Sequence, residues 1–133
     1  MVRQKSKLRV AIALLALSWC QPANSQSLTP MRGKVKSVTD SFAVRVHATN
    51  PYEHRIKVKM STFDDRFSPV RSRIRPQVIS LGGGASRSIL VQVPFEEHKN
   101  RRIRICAESV PFPNRPTIMK AMICGKFLAT RLR

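Results

Sequence analysis

Strict alternation of apolar and polar residues constrains this chain more than any other feature. Ser41 to Thr49 reads SFAVRVHAT, with Phe42, Val44, Val46 and Ala48 on one side and Ser41, Arg45, His47 and Thr49 on the other. Residues 55–62 (RIKVKMST) set Ile56, Val58 and Met60 against Lys57, Lys59 and Ser61. A helical stripe repeats every three to four residues, so a period of two describes strands with one dry and one wet face.

The pattern recurs along the chain. Residues 70–75 alternate with Arg71, Arg73 and Arg75 until Pro76, which cannot donate to a sheet ladder. Residues 77–81 form a short segment, and Gly82, Gly83 and Gly84 supply a turn. Residues 86–95 send Ile89, Val91, Val93 and Phe95 inward. Residues 101–108 send Ile103, Ile105 and Ala107 one way and Arg102, Arg104, Cys106 and Glu108 the other. A loop with Pro111, Pro113 and Pro116 leads to residues 118–130, where Met119, Ala121, Ile123, Phe127 and Ala129 share one parity.

With a first strand near residues 33–38, these make about seven short strands. Such spacing predicts an all-β fold, an immunoglobulin-like two-sheet antiparallel sandwich. A small oligonucleotide-binding barrel is the alternative. It would use fewer, longer strands and a helix, for which no pattern exists.

The first 25 residues read differently. Arg3, Lys5, Lys7 and Arg9 precede the apolar run VAIALLAL, and Ala23-Asn24-Ser25 follows as a small-x-small site. That is the order of a cleaved signal peptide, with residues 26–133 left as one domain in the periplasm or secreted. The apolar run is far shorter than the roughly 20 residues that span a bilayer, so the mature chain is expected to have no transmembrane segment. A lipidated Cys20 is the alternative, opposed by the bulky Trp19 before it. Cys106 and Cys124 would remain, and two cysteines in an exported chain usually pair. A hairpin centred on Arg115 places them opposite one another, on the face away from the core.

No catalytic or metal-binding pattern accompanies this. There is no GxSxG, HExxH or CxxC, and the glycine triplet lacks the Lys-Ser/Thr of a phosphate-cradling loop. His47, His54 and His98 read as exposed histidines, and the adjacent Asp64 and Asp65 offer too few oxygens for calcium. No enzyme, cofactor or metal is expected. Charge is the remaining signal: 25 Lys and Arg stand against 7 Asp and Glu, a net +18. Arg32, Lys57, Lys59, Arg102 and Arg104 form an expected basic face, with Arg45, Arg71, Arg73 and Arg75 on the other side. Nucleic acid is disfavoured by the export signal and by few aromatics for stacking.

Several segments resemble a known family. Thr29-Pro30-Met31-Arg32 opens the first strand. The run Val44 to Thr49 ends in Asn50 and is followed by Pro51-Tyr52. The stretch Pro76-Gln77-Val78-Ile79-Ser80-Leu81 leads through the glycines to Ala85-Ser86 and a strand ending Val91-Gln92-Val93. This order resembles the N-terminal immunoglobulin-like domain of periplasmic pilus-assembly chaperones. The resemblance implies a cleft in which Arg32 and Lys126 contact a bound subunit. It also implies a chaperone-like module that binds a protein partner in the cell envelope by strand addition or sheet-face contact. The last strand is the expected edge, through Ile118, Lys120, Met122, Ile123, Lys126 and Phe127. The alternative is a basic envelope protein that binds anionic lipid or lipopolysaccharide phosphates.

Overall fold

The computed structural model describes residues 27–132; the signal-peptide and Cys20 expectations lie outside them. Nine strands form two sheets: β1 (Ser27–Thr29), β2 (Arg32–Ser37), β3 (Ser41–Thr49), β4 (Ile56–Phe63), β5 (Arg73–Arg75), β6 (Val78–Leu81), β7 (Ser86–Pro94), β8 (Asn100–Ser109) and β9 (Ala121–Arg131). One sheet has the order β1-β3-β7-β5 and the other β2-β9-β8-β4-β6. This is the immunoglobulin-like sandwich expected from the alternation.

The count of nine rather than seven has a simple cause. An unexpected short strand, β1, precedes the expected first one, and the stretch around Pro76 is divided between the sheets. The opening strand pairs with β3 as β1, passes Pro30 and Met31, and rejoins the opposite sheet as β2, parallel to β9. The stretch around Pro76 does the same, with β5 on β7 and β6 on β4. Proline has no N–H, so it interrupts a ladder where the chain must leave it. Sandwich corners are made by strands that switch sheets in this way.

The alternating positions meet between the sheets. Phe42, Val44, Val46 and Ala48 of β3 face Ile56, Val58 and Met60 of β4, with Ile89, Val91 and Val93 of β7 and Ile103, Ile105 and Ala107 of β8 completing one core. Phe95 is fully buried and packs at a tilt against Phe42, with ring centroids 5.0 Å apart. Phe127 also belongs to this core at 3% exposure. Its register partner is Gly33, and a Cβ on Gly33 or Gly125 would lie 3.0 or 2.9 Å from its ring. Two glycines thus make room for one aromatic ring.

The last strand starts later than expected. Ile118, Met119 and Lys120 precede β9 and are exposed, so the expected inward position of Met119 is not found. Three prolines between residues 111 and 116 hold this connection out of the ladder.

Candidate functional site

The site is built where β2 meets β9. In the sheet β8 pairs with β9 along its length, from Ser109↔Ala121 to Asn100↔Thr130. On the other side β2 pairs only from Arg32↔Lys126 to Ser37↔Arg131. The first five residues of β9, Ala121 to Gly125, therefore have no ladder partner on that side among the described residues.

The direction of the free groups follows from parity. The Lys126 amide donates to the Met31 carbonyl at 2.8 Å, and the Leu132 amide to the Ser37 carbonyl at 2.8 Å, so even-numbered amides point toward β2. The Arg131 amide donates to the Lys99 carbonyl, so odd-numbered amides point toward β8. Met122 and Cys124 consequently aim N–H and C=O into the open side. These groups favour pairing with another main chain.

Other edges are protected and this one is not. β2 carries Arg32, Lys34 and Lys36, and β5 carries Arg73 and Arg75 around Ile74. β1 and β6 have three and four residues. Charge and shortness are the usual defences of an edge. Ala-Met-Ile-Cys-Gly has neither, and Met122 is 52% exposed beside Ile118 at 64% and Met119 at 65%.

A disulfide holds this segment in place. Cys106 and Cys124 are direct partners across β8 and β9 and are bonded, with Cα atoms 4.1 Å apart. Because the Cys124 amide points away from β8, the two form a non-hydrogen-bonded pair, the closer of the two antiparallel pair types. Cys106 is buried at 1% yet lies outside the core cluster, as its outward parity requires.

Beyond the disulfide, cations stand abreast. Arg104, Lys126 and Arg32 are successive register partners across β8, β9 and β2, and in the next row on this face Leu128 is flanked by Arg102 and Lys34. Neighbouring strands are about 4.8 Å apart, so the three charges share one row. They line an open cleft of ≈ 670 Å³ together with Gly33, Phe127 and one acid, Asp65. None of these cations is among the ion pairs found, which are Arg101–Glu96, Lys120–Glu108 and Arg131–Asp40.

The expected site residues sort accordingly. Arg32, Lys126, Arg102 and Arg104 come together. Lys57 and Lys59 share the sheet but lie beyond the disulfide row, with Lys59 opposite Glu108. Met122 lies on the open edge and Ile123 is half-buried against the core. Ile118 and Lys120 lie before the strand, and Lys120 pairs with Glu108 at 3.4 Å. Phe127 is a correction: its side chain is in the core, where the flanking glycines admit the ring, and as an odd-numbered residue of β9 its main-chain groups face β8 and not the open side. Lys34, Lys36 and Phe67 went unread. The alternation of residues 32–36 (RGKVK) carried the signal for the two lysines. Phe67 stands in a loop without a period.

Comparison with known proteins agrees with this architecture. No protein-family model matches the chain, and no curated protein matches it. Solved structures do. The complex of the Salmonella enterica SafA pilin with the SafB chaperone matches at 18% identity and a TM-score of 0.67, over 84% of this chain and 57% of that one. The Escherichia coli chaperone DraB matches at 15% identity and 0.67, over 81% and 56%. SSP-19, an MSP-domain protein-like family member of Caenorhabditis elegans, matches at 12% and 0.58, over 78% and 98%. The chain spans a little over half the length of the chaperones it matches, and its fold is that of their N-terminal immunoglobulin-like domain.

Proposed function

We propose that this protein is an exported, chaperone-like module that captures an extended segment of another protein by strand addition at Ala121–Gly125. The observation that carries this reading is the unprotected half-edge of β9, with Met122 and Cys124 presenting free main-chain groups beside an apolar fringe. Main-chain hydrogen bonds give affinity in such capture, and alternate side chains give selectivity. Met residues adapt to varied side chains.

The geometry also favours an orientation. β2 runs parallel to β9 and starts at Lys126. A segment laid in the gap along the same direction ends where Arg32 begins. Its C-terminal carboxylate then meets Arg32 and Lys126. The likeness to proteins described as pilin chaperones supports a protein segment as the occupant.

Hydrogen exchange tests this with extended peptides of alternating apolar and polar residues. Binding should slow exchange at the Met122 and Cys124 amides, and amidating the peptide C-terminus should weaken it about tenfold, as expected for loss of a charge-assisted contact. Met122→Pro removes a donor that faces away from β8. It should abolish binding while leaving the hydrogen bonds to β8 in place. Unchanged exchange at both amides in a peptide complex would exclude strand addition.

A further inference from the structure

The cleft beyond the disulfide holds more positive charge than one chain terminus needs. Arg104, Lys126 and Arg32 lie in one row, with Arg102 and Lys34 behind them and Asp65 as the only acid lining the cleft. Like charges directly opposite one another on a sheet are destabilising, so an anion that bridges them relieves a cost already present in the fold.

Arg104 is the centre of this arrangement. It is half-buried, and its Nε is buried without a hydrogen-bond partner. Its guanidinium carbon sits 4.5 Å from the centroid of Phe67. Phe67 is held there by its loop: the Asp64 carboxylate accepts from the amides of Arg66 and Ser68 at 2.8 and 2.9 Å, and the Asp64 amide donates to the Ser68 carbonyl at 2.9 Å. The Phe67 backbone has φ of 59°, a left-handed conformation that is rare for a bulky residue. Phe67 remains 49% exposed, so burying its own ring does not account for that conformation. One face of the guanidinium is therefore fixed, and its planar fork is pre-organised for an oxyanion.

The geometry points to a binding site for a phosphate-class dianion, in which Arg104, Lys126 and Arg32 supply the first contacts, Arg102 and Lys34 supply the surrounding charge, and Phe67 is a positioning residue for Arg104. A carboxylate carries one charge and is met by two cations. Five cations match a group with two charges and three or more acceptor oxygens. The same group occurs on lipids with a phosphomonoester headgroup and as soluble phosphate.

Titration calorimetry with inorganic phosphate and with acetate, at matched ionic strength, reads the site. Phosphate should bind at least about tenfold more tightly than acetate, and Arg104→Gln should weaken phosphate about tenfold, the scale of one charge-assisted contact. Phe67→Ala changes no charge and should still weaken phosphate several-fold, with circular dichroism confirming the fold. Lys59→Gln removes a charge from the same sheet that lies outside the cleft and opposite Glu108, and should change affinity less than about twofold, since solvent and salt screen exposed charges. Equal losses for Arg104→Gln and Lys59→Gln, or equal binding of phosphate and acetate, would overturn the site in favour of a diffuse positive field. Full phosphate affinity in Phe67→Ala would remove its positioning role.

Vesicles of phosphatidic acid, whose headgroup is a phosphomonoester, and of phosphatidylcholine separate the sources. Binding to the first alone, lost in Arg104→Gln, assigns a lipid headgroup. Phosphate binding without vesicle binding assigns a soluble phosphate. Failure of both refutes the inference. Met122→Pro should leave phosphate binding unchanged, so the failure of strand capture and the failure of this site are told apart.

Discussion

Asn50 illustrates what a single residue decides in this fold. It ends β3 and is fully buried, in an interior where polar groups require partners. Its Nδ2 lies 2.8 to 3.0 Å from the carbonyls of His54, Leu81 and Gly82, and its Oδ1 accepts from the Tyr52 amide at 2.9 Å. One side chain thereby ties the end of β3 to the end of β6 and to the loop before β4. Asn50→Ala should cost about 3 kcal/mol in urea denaturation, because the Leu81 carbonyl and Tyr52 amide lose their partner in a site too enclosed for easy hydration. Asn50→Asp should be worse, since a carboxylate would face the three carbonyls. The sequence marked Asn50 as a strand terminus, but two of its partners, Leu81 and Gly82, lie 31 and 32 residues away and no local pattern announces them. Phe127 shows the converse. Its inward parity was legible, and the space for its ring was written in Gly33 and Gly125, yet only the pairing of β2 with β9 brings those glycines together.

The strands were legible because each has a dry face and a wet face. Residues 41–49 match β3 at both ends, and β4, β7 and β8 differ from their expected bounds by one residue at each end at most. Parity, however, does not say which sheet a strand joins. The two sheet changes, at Pro30 and Pro76, were therefore invisible, and with them the short β1 and the half-covered β9. The disulfide was legible from parity and hairpin spacing together. It closes a loop of residues 107–123, and its removal by Cys106→Ala with Cys124→Ala should cost about 3 kcal/mol in the chain-entropy model. Chemical denaturation measures that loss. The double variant should also exchange the Met122 and Cys124 amides faster, since the bond anchors the strand next to its open side.

The whole molecule carries a net +18, and the ion pairs among the described residues are Arg101–Glu96, Lys120–Glu108 and Arg131–Asp40. Exposed pairs contribute little in any case. Self-repulsion therefore opposes the compact state and is screened by salt, with a Debye length near 10 Å at about 0.1 M. The melting temperature should rise on going from low to moderate sodium chloride, and calorimetry or circular dichroism will show it. Peptide capture through main-chain bonds should persist over that range, while phosphate binding falls. A melting temperature that drops with added chloride would mean that the cations are already compensated.

The late start of β2 along β9 has a consequence for growth. A segment lodged beside Ala121–Gly125 lies end to end with β2 and completes a row of the sheet instead of starting a new one. Any further strand would have to run past Arg32, Lys34 and Lys36 along half its length. If strand capture is how the protein works, it would accept one guest and still refuse a queue, as a terminator of β-polymerisation and not a seed for it.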